Sequence, residues 1–171
     1  ICNSFNINYE SLRKKMVDGY ERNTAIPKAG FTAGPCLLKD TMQLASFSKR
    51  KFELGYAAMN VNQNLPIFLI NGIEKKYNLK KNLIGILGMS FKADVDDIRD
   101  SLSIHLIKYL KRRKFKYLQH DPYFKSNENS QLPNLIKKSK IIIVCAPHKI
   151  YKSLKIPKNK IIIDIWNIIK K

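Results

Sequence analysis

Three short runs in the second half of the chain, at residues 84–88, 141–146 and 161–165, are apolar almost without interruption and rich in Ile and Val. A strand that buries one face alternates apolar and polar residues, whereas an unbroken run suits a strand buried on both faces. Between these runs the rhythm changes. Residues 101–113 carry Leu102, Leu106, Ile107 and Leu110 at helical spacing, and residues 131–138 read as a shorter helix. Residues 115–120 read as a further strand. Strands that alternate with helices and are covered on both faces argue for a parallel sheet built from βαβ units. The expected fold class is α/β, with a small parallel α/β domain over residues 79–171.

The first half reads differently. Residues 9–20 place Tyr9, Leu12, Met16 and Val17 at helical spacing, with Asn8 as N-cap. A loop follows over residues 23–35, broken by Pro27, Gly30, Gly34 and Pro35. Helical spacing resumes at Cys36 and runs through Phe47. A long helical stretch is then expected over residues 50–77, with Pro66 kinking or dividing it. Residues 1–78 therefore form a helical segment. Its apolar stripe is longer than one small domain needs to cover, so pairing of two copies through the long helix is expected.

Lys and Arg number 32 against 13 Asp and Glu, a net charge of +19. Such a balance suits a polyanionic partner, nucleic acid included. It also suits an AT-rich coding genome, because Lys far outnumbers Arg and is scattered. Three Cys residues without framework spacing argue against a disulfide scaffold and for a reducing, cytoplasmic compartment. No Cys/His cluster has zinc spacing, so no metal is expected. No apolar run reaches the roughly 18–20 residues of a membrane span. The chain opens at Ile1 in mid-pattern, which suggests a piece of a longer protein.

Two constellations carry chemistry. In Ala29-Gly30-Phe31-Thr32-Ala33-Gly34-Pro35-Cys36-Leu37-Leu38-Lys39-Asp40 a glycine-containing loop ends at a Cys where a helix starts. Exposed N–H groups at a helix N-terminus stabilise thiolate, and Lys39 and Asp40 fall on the face of Cys36. The ammonium suits a developing oxyanion and the carboxylate suits a general base for water. A structural Cys beside a surface Lys–Asp pair fits the same spacing. In the second, residues 85–101, a strand leads into a polar loop and a helix capped by Asp100 or Ser101, the place where α/β folds bind ligands. Lys92 and Arg99 suit phosphates, while the four Asp residues nearby equally suit a salt-bridged loop.

Taken in order, C-x-x-K-D, a long helical stretch and G-x-x-G-x-x-F-K-x-D-x-x-D-x-R-x-S resemble the nucleotide-sugar 6-dehydrogenases, the UDP-glucose and UDP-N-acetylhexosamine dehydrogenases among them. The tail, with Ala146-Pro147-His148, Tyr151 and Asp164-Ile165-Trp166-Asn167, is similar too. The resemblance spans the whole chain but only the family's C-terminal part. It implies a central helical, dimerising segment that carries the catalytic Cys, followed by a Rossmann-like domain for the UDP end of the substrate. An N-terminal NAD-binding domain would lie upstream. It implies Cys36 as the nucleophile that adds to the C6 aldehyde and later carries a thioester, Asp40 as the acid/base group and Lys39 between them. Gly30, Phe31 and Gly34 would lie on the loop around the sugar diphosphate, and Phe91 and Lys92 would meet the substrate from the C-terminal domain. Arg99 would reach the cofactor pyrophosphate. Arg22 lies near the position of an Arg that family dimers insert into the neighbouring site.

The chain also departs from the family. Ala33 stands where the family usually has Gly, and G-x-G-x-x-G is absent. The family's Lys and Asn on the central helix, and the acidic residue that helps handle water, would lie before Ile1. The expected function is an NAD-dependent UDP-sugar dehydrogenase whose C-terminal portion this is, inactive by itself, with a UDP-sugar as ligand and a second copy as partner. The alternative is a non-catalytic basic module that binds nucleic acid or nucleotide.

Overall fold

The computed structural model describes all residues except Asn3, Arg50, Lys51, Lys170 and Lys171. Helix α1 is Tyr9–Val17, and its N-cap Asn8 accepts a hydrogen bond from the Ser11 N–H at 2.9 Å. Helix α2, Pro35–Phe47, starts on a proline, which fits because an N1 residue has no intrahelical partner for its N–H. The long helical stretch is two helices, α3 at Glu53–Gln63 and α4 at Leu65–Glu74. The break at Asn64 is the division expected from Pro66, which sits in the first turn of α4. The expected start of that stretch at Arg50 lies outside the described residues.

The second half forms a four-stranded parallel sheet. Its strands are β1 Ile84–Leu87, β2 Tyr117–His120, β3 Ile141–Val144 and β4 Ile161–Asp164, in the order β2-β1-β3-β4. Ile84 stands level with Tyr117 on one side and Ile141 on the other, and Ile141 with Ile161. Helix α5, Leu102–Arg112, crosses from β1 to β2, and α6, Leu132–Lys138, from β2 to β3. The apolar runs are explained by what covers them. Ile84, Ile86, Ile141 and Ile143 face one layer with Leu102, Leu106 and Leu110 of α5 and Ile70 and Ile73 of α4. Leu87, Ile142 and Val144 face the other with Leu135 of α6 and Tyr151. Side chains alternate faces along a strand, so covering both faces leaves no position for a polar residue.

Helix α4 packs on α5, and Phe31 from the N-terminal loop joins the same core. Packing therefore runs without a break across residues 78 and 79, where the sequence analysis sets its domain boundary. Among the described residues no helix is long and apolar enough to cross a membrane. Leu106 is fully buried at the centre of the α4–α5–sheet layer. Leu106→Ala is expected to destabilise the chain by about 3 kcal/mol, through lost transfer energy plus a residual cavity. Urea unfolding should show a lower midpoint with the slope unchanged.

Candidate functional site

The strand order reverses direction between β1 and β3, and in open parallel sheets ligands sit beyond the carboxyl ends of the strands at such a reversal. The segment that leaves β1 carries Met89, Ser90, Phe91 and Lys92. The segment that leaves β3 carries Cys145, Ala146 and His148, and Asp121 follows β2. A third segment reaches this end from the helical half. Gly30 lies on the indole of Trp166, and Gly34 lies on the ring of Phe91. A Cβ on Gly30 would stand 2.3 Å from the indole, and one on Gly34 3.2 Å from the Phe91 ring. Gly34 also has φ 136°, a conformation that residues with a side chain rarely adopt. Trp166 is fixed from below by its own N–H, which donates to the Cys145 carbonyl at 2.8 Å.

The loop seated on these two rings runs directly into α2, and Cys36 is the second residue of that helix with its side chain exposed. Phe31 is 3% exposed, so its ring anchors the loop in the core instead of lining an open surface. Lys39 and Asp40 form an ion pair at 3.3 Å and are both largely exposed. Lys92 is exposed and Phe91 half-buried. Arg99 is exposed and held by Asp97, with Nε to both carboxylate oxygens at 3.1 and 3.0 Å and an Nη donor at 2.6 Å. The hydrogen bonds and charge of Asp97 push the Arg99 guanidinium further up. The structure thus seats Gly34 on Phe91 and, in the same loop, Gly30 on Trp166. Arg22 stays in a short 3-10 turn, Glu21–Asn23, packed with α1.

Asp121 was not among the residues expected from the sequence to form the site. Its side chain is fully buried, and one oxygen accepts from the Met89 N–H at 2.6 Å and the Ser90 N–H at 3.2 Å. The other accepts from Tyr123 and Phe124 N–H groups at 2.8 and 2.9 Å. His148 Nε2 stands 3.1 Å from the first oxygen. Burial by itself raises this carboxyl, but the hydrogen bonds from His148, Phe124, Met89 and Tyr123 outweigh it and hold it down at about 2. The signal in the sequence was an acidic residue directly after a strand in a parallel sheet. By contrast, burial pushes the Cys145 thiol far up, which leaves it inert.

Comparison with known proteins gives a consistent picture. Residues 85–171 match the model of the UDP-glucose/GDP-mannose dehydrogenase family, UDP binding domain. A UDP-N-acetyl-D-mannosamine dehydrogenase of Pyrococcus horikoshii is 31% identical over 149 residues, which are 80% of this chain and 35% of that protein. The solved structure of UDP-D-ManNAc dehydrogenase from Pyrococcus horikoshii superposes with a TM-score of 0.80 at 25% identity, over 98% of this chain and 42% of that one. A UDP-glucose dehydrogenase structure from Pyrobaculum islandicum shares the fold with a TM-score of 0.82 at 20% identity, over 96% of this chain and 41% of that one. The chain spans about a third of the length of the curated relatives it matches.

Two outcomes follow from this geometry. Gly30→Ala is expected to lower stability by about 1–3 kcal/mol, because the added methyl meets an indole locked by its own hydrogen bond. Trp166 is the single tryptophan, so its fluorescence should shift in the folded variant. Asp121 has a folded-state pKa of about 2 against the ordinary 3.8, so the folded state binds fewer protons between those values. Its contribution is complete above pH 3.8 and is lost as pH falls towards 2, a loss of about 2 kcal/mol. Asp121→Asn should flatten that part of the stability profile measured by denaturant titration from pH 5 to 2.

Proposed function

Because this chain belongs to the UDP-glucose/GDP-mannose dehydrogenase family, we propose that it forms the central and C-terminal part of an NAD-dependent dehydrogenase that oxidises the C6 alcohol of a UDP-hexose to a carboxylate. The observation that carries this reading is the seating of the Gly30 and Gly34 loop on Trp166 and Phe91. That contact joins the segment leading into Cys36 to the carboxyl end of the sheet, where a nucleotide would lie. A substrate that spans the two, diphosphate towards Lys92 and sugar towards Cys36, suits a molecule with a nucleotide at one end and a hexose at the other.

The chain's own residues do not fit a dinucleotide. A long loop, and not a tight glycine turn, joins β1 to α5, and the first turn of α5 is buried at Ser101, Leu102 and Ser103. The Ser103 N–H already donates to the Ser101 hydroxyl, so that turn is no cradle for a pyrophosphate. Arg99 is committed to Asp97. In this reading NAD belongs to a domain outside the chain and supplies the hydride acceptor for both oxidations.

What the chain contributes is covalent and acid–base chemistry. The Cys36 sulfur adds to the C6 aldehyde carbon to give a thiohemiacetal, which holds the intermediate until it is oxidised to a thioester. Asp40 takes a proton from the water that hydrolyses the thioester, and the Lys39 ammonium beside it steadies the oxyanion that forms. Two copies would pair through the helical half, where Phe47 is 89% exposed, Leu54 82% and Val61 73%. The compartment in this reading is the cytoplasm.

Calorimetric titration of the chain tests the nucleotide end. UDP should bind weakly but measurably, and NAD should give no heat. Lys92→Ala should lower UDP affinity about tenfold, the loss of one charge-assisted contact to phosphate. NAD binding at micromolar affinity would place the cofactor site within this chain and overturn the division of labour proposed.

A further inference from the structure

The turn that carries Phe91 and Lys92 is held by a buried group that takes no part in the chemistry above. His148 is fully buried, and its imidazole lies between the rings of Tyr123 and Tyr151, with centroids 5.1 and 5.4 Å away. Nδ1 accepts from the Asp94 backbone N–H at 2.8 Å. A ring nitrogen that accepts carries no proton, so the hydrogen is on Nε2. Nε2 faces Asp121 Oδ2 at 3.1 Å and Ser90 Oγ at 3.2 Å. Ser90 Oγ in turn donates to the Lys92 carbonyl at 2.7 Å. The ring therefore grips the turn on both sides of Lys92, through Ser90 before it and Asp94 after it. Asp94 adopts φ 57°, the left-handed region, which Asp enters more readily than most residues with a side chain. Its carboxylate accepts from the Lys149 N–H at 2.9 Å and from the Tyr123 hydroxyl at 3.2 Å.

Ser, His and Asp side chains in contact suggest a nucleophilic triad, but the arrangement excludes one. In a triad the carboxylate and the hydroxyl use opposite ring nitrogens, whereas here both face Nε2. Ser90 is also 2% exposed, beyond the reach of a substrate. What the cluster does is mechanical. We propose that His148 is a positioning residue that fixes the turn bearing Phe91 and Lys92, so that the Lys92 ammonium is presented to the nucleotide from a preformed site; this role rests on the UDP reading above. A lysine on a loose turn would have to be ordered at each binding event, and the network supplies that order in advance.

Amide hydrogen exchange and UDP calorimetry on the chain test this together. In His148→Ala the Asp94 N–H should exchange at least about tenfold faster, while the amides of β1 and β3 keep their protection. UDP affinity should fall about tenfold. In a Lys92→Ala background the same substitution should lower affinity no further, because the group it positions is gone. His148→Asn, whose Oδ1 takes the place of Nδ1, should restore protection at Asp94. His148→Gln, which keeps only the donor to Asp121, should not. Where the Ala variant fails to fold, the Asn and Gln variants decide the matter by the same two readouts. An unchanged Asp94 exchange rate, or an equal loss of affinity with and without Lys92, overturns the proposal. If the parent chain takes up no UDP, the nucleotide reading falls, and exchange at Asp94 still decides whether His148 holds the turn.

Discussion

The carboxylate of Asp121 is the point on which the upper end of the sheet depends. It follows β2 directly, yet its hydrogen bonds reach the segment leaving β1, its own turn and the imidazole leaving β3. Parallel strands diverge into separate loops at their carboxyl ends, and nothing in the sheet ladder holds those loops to one another. A buried carboxylate does so because it has two oxygens, several acceptor positions and no donor of its own. Left unsatisfied it would be costly, and surrounded by N–H groups it becomes a fixed anchor. The positions of Met89 and Ser90 follow from it.

Much of the architecture was legible because burial on both faces leaves a strong mark. Ile141, Ile142 and Ile143 have no polar neighbour to alternate with, and their parallel pairing follows. Pro66 marked the division between α3 and α4. The site was legible in part. Cys36 at a helix start and Lys92 in the loop after a strand read from local spacing, while Phe91 was expected only through the family resemblance. The contact of Gly30 with Trp166 did not, because it joins residues far apart in sequence and no periodicity reports on tertiary proximity. The pairing of His148 with Asp121 was hidden for a related reason. Each is an ordinary polar residue until the fold buries it beside the other. Phe31, expected through the resemblance on a loop around the sugar diphosphate, packs in the core.

The net charge of +19 has a distribution that bears on its meaning. In a parallel sheet all strands begin at one edge, and here Lys80, Lys81, Lys114, Lys116, Lys140, Lys158 and Lys160 cluster just before them. That edge is opposite the site. Some of these cations have structural partners: the Lys160 ammonium donates to the carbonyls of Lys137 and Ser139 at 2.7 Å, closing the end of α6. Positive charge at a helix C-terminus offsets the partial negative charge there. Part of the basicity therefore serves the fold and not a polyanion.

The seating of Gly30 on Trp166 also has a bearing on the order in which the molecule is made. Chains emerge from the ribosome from the N-terminus, and early segments fold against whatever is already available. The loop that leads into Cys36 is made before any strand of the sheet, while the indole it rests on belongs to the segment after β4. Until that segment has been synthesised and β4 has joined the sheet, the loop has no platform. Between the synthesis of that loop and that of the segment after β4, Cys36 thus sits on an unseated loop, and closure waits for β4 to join the sheet.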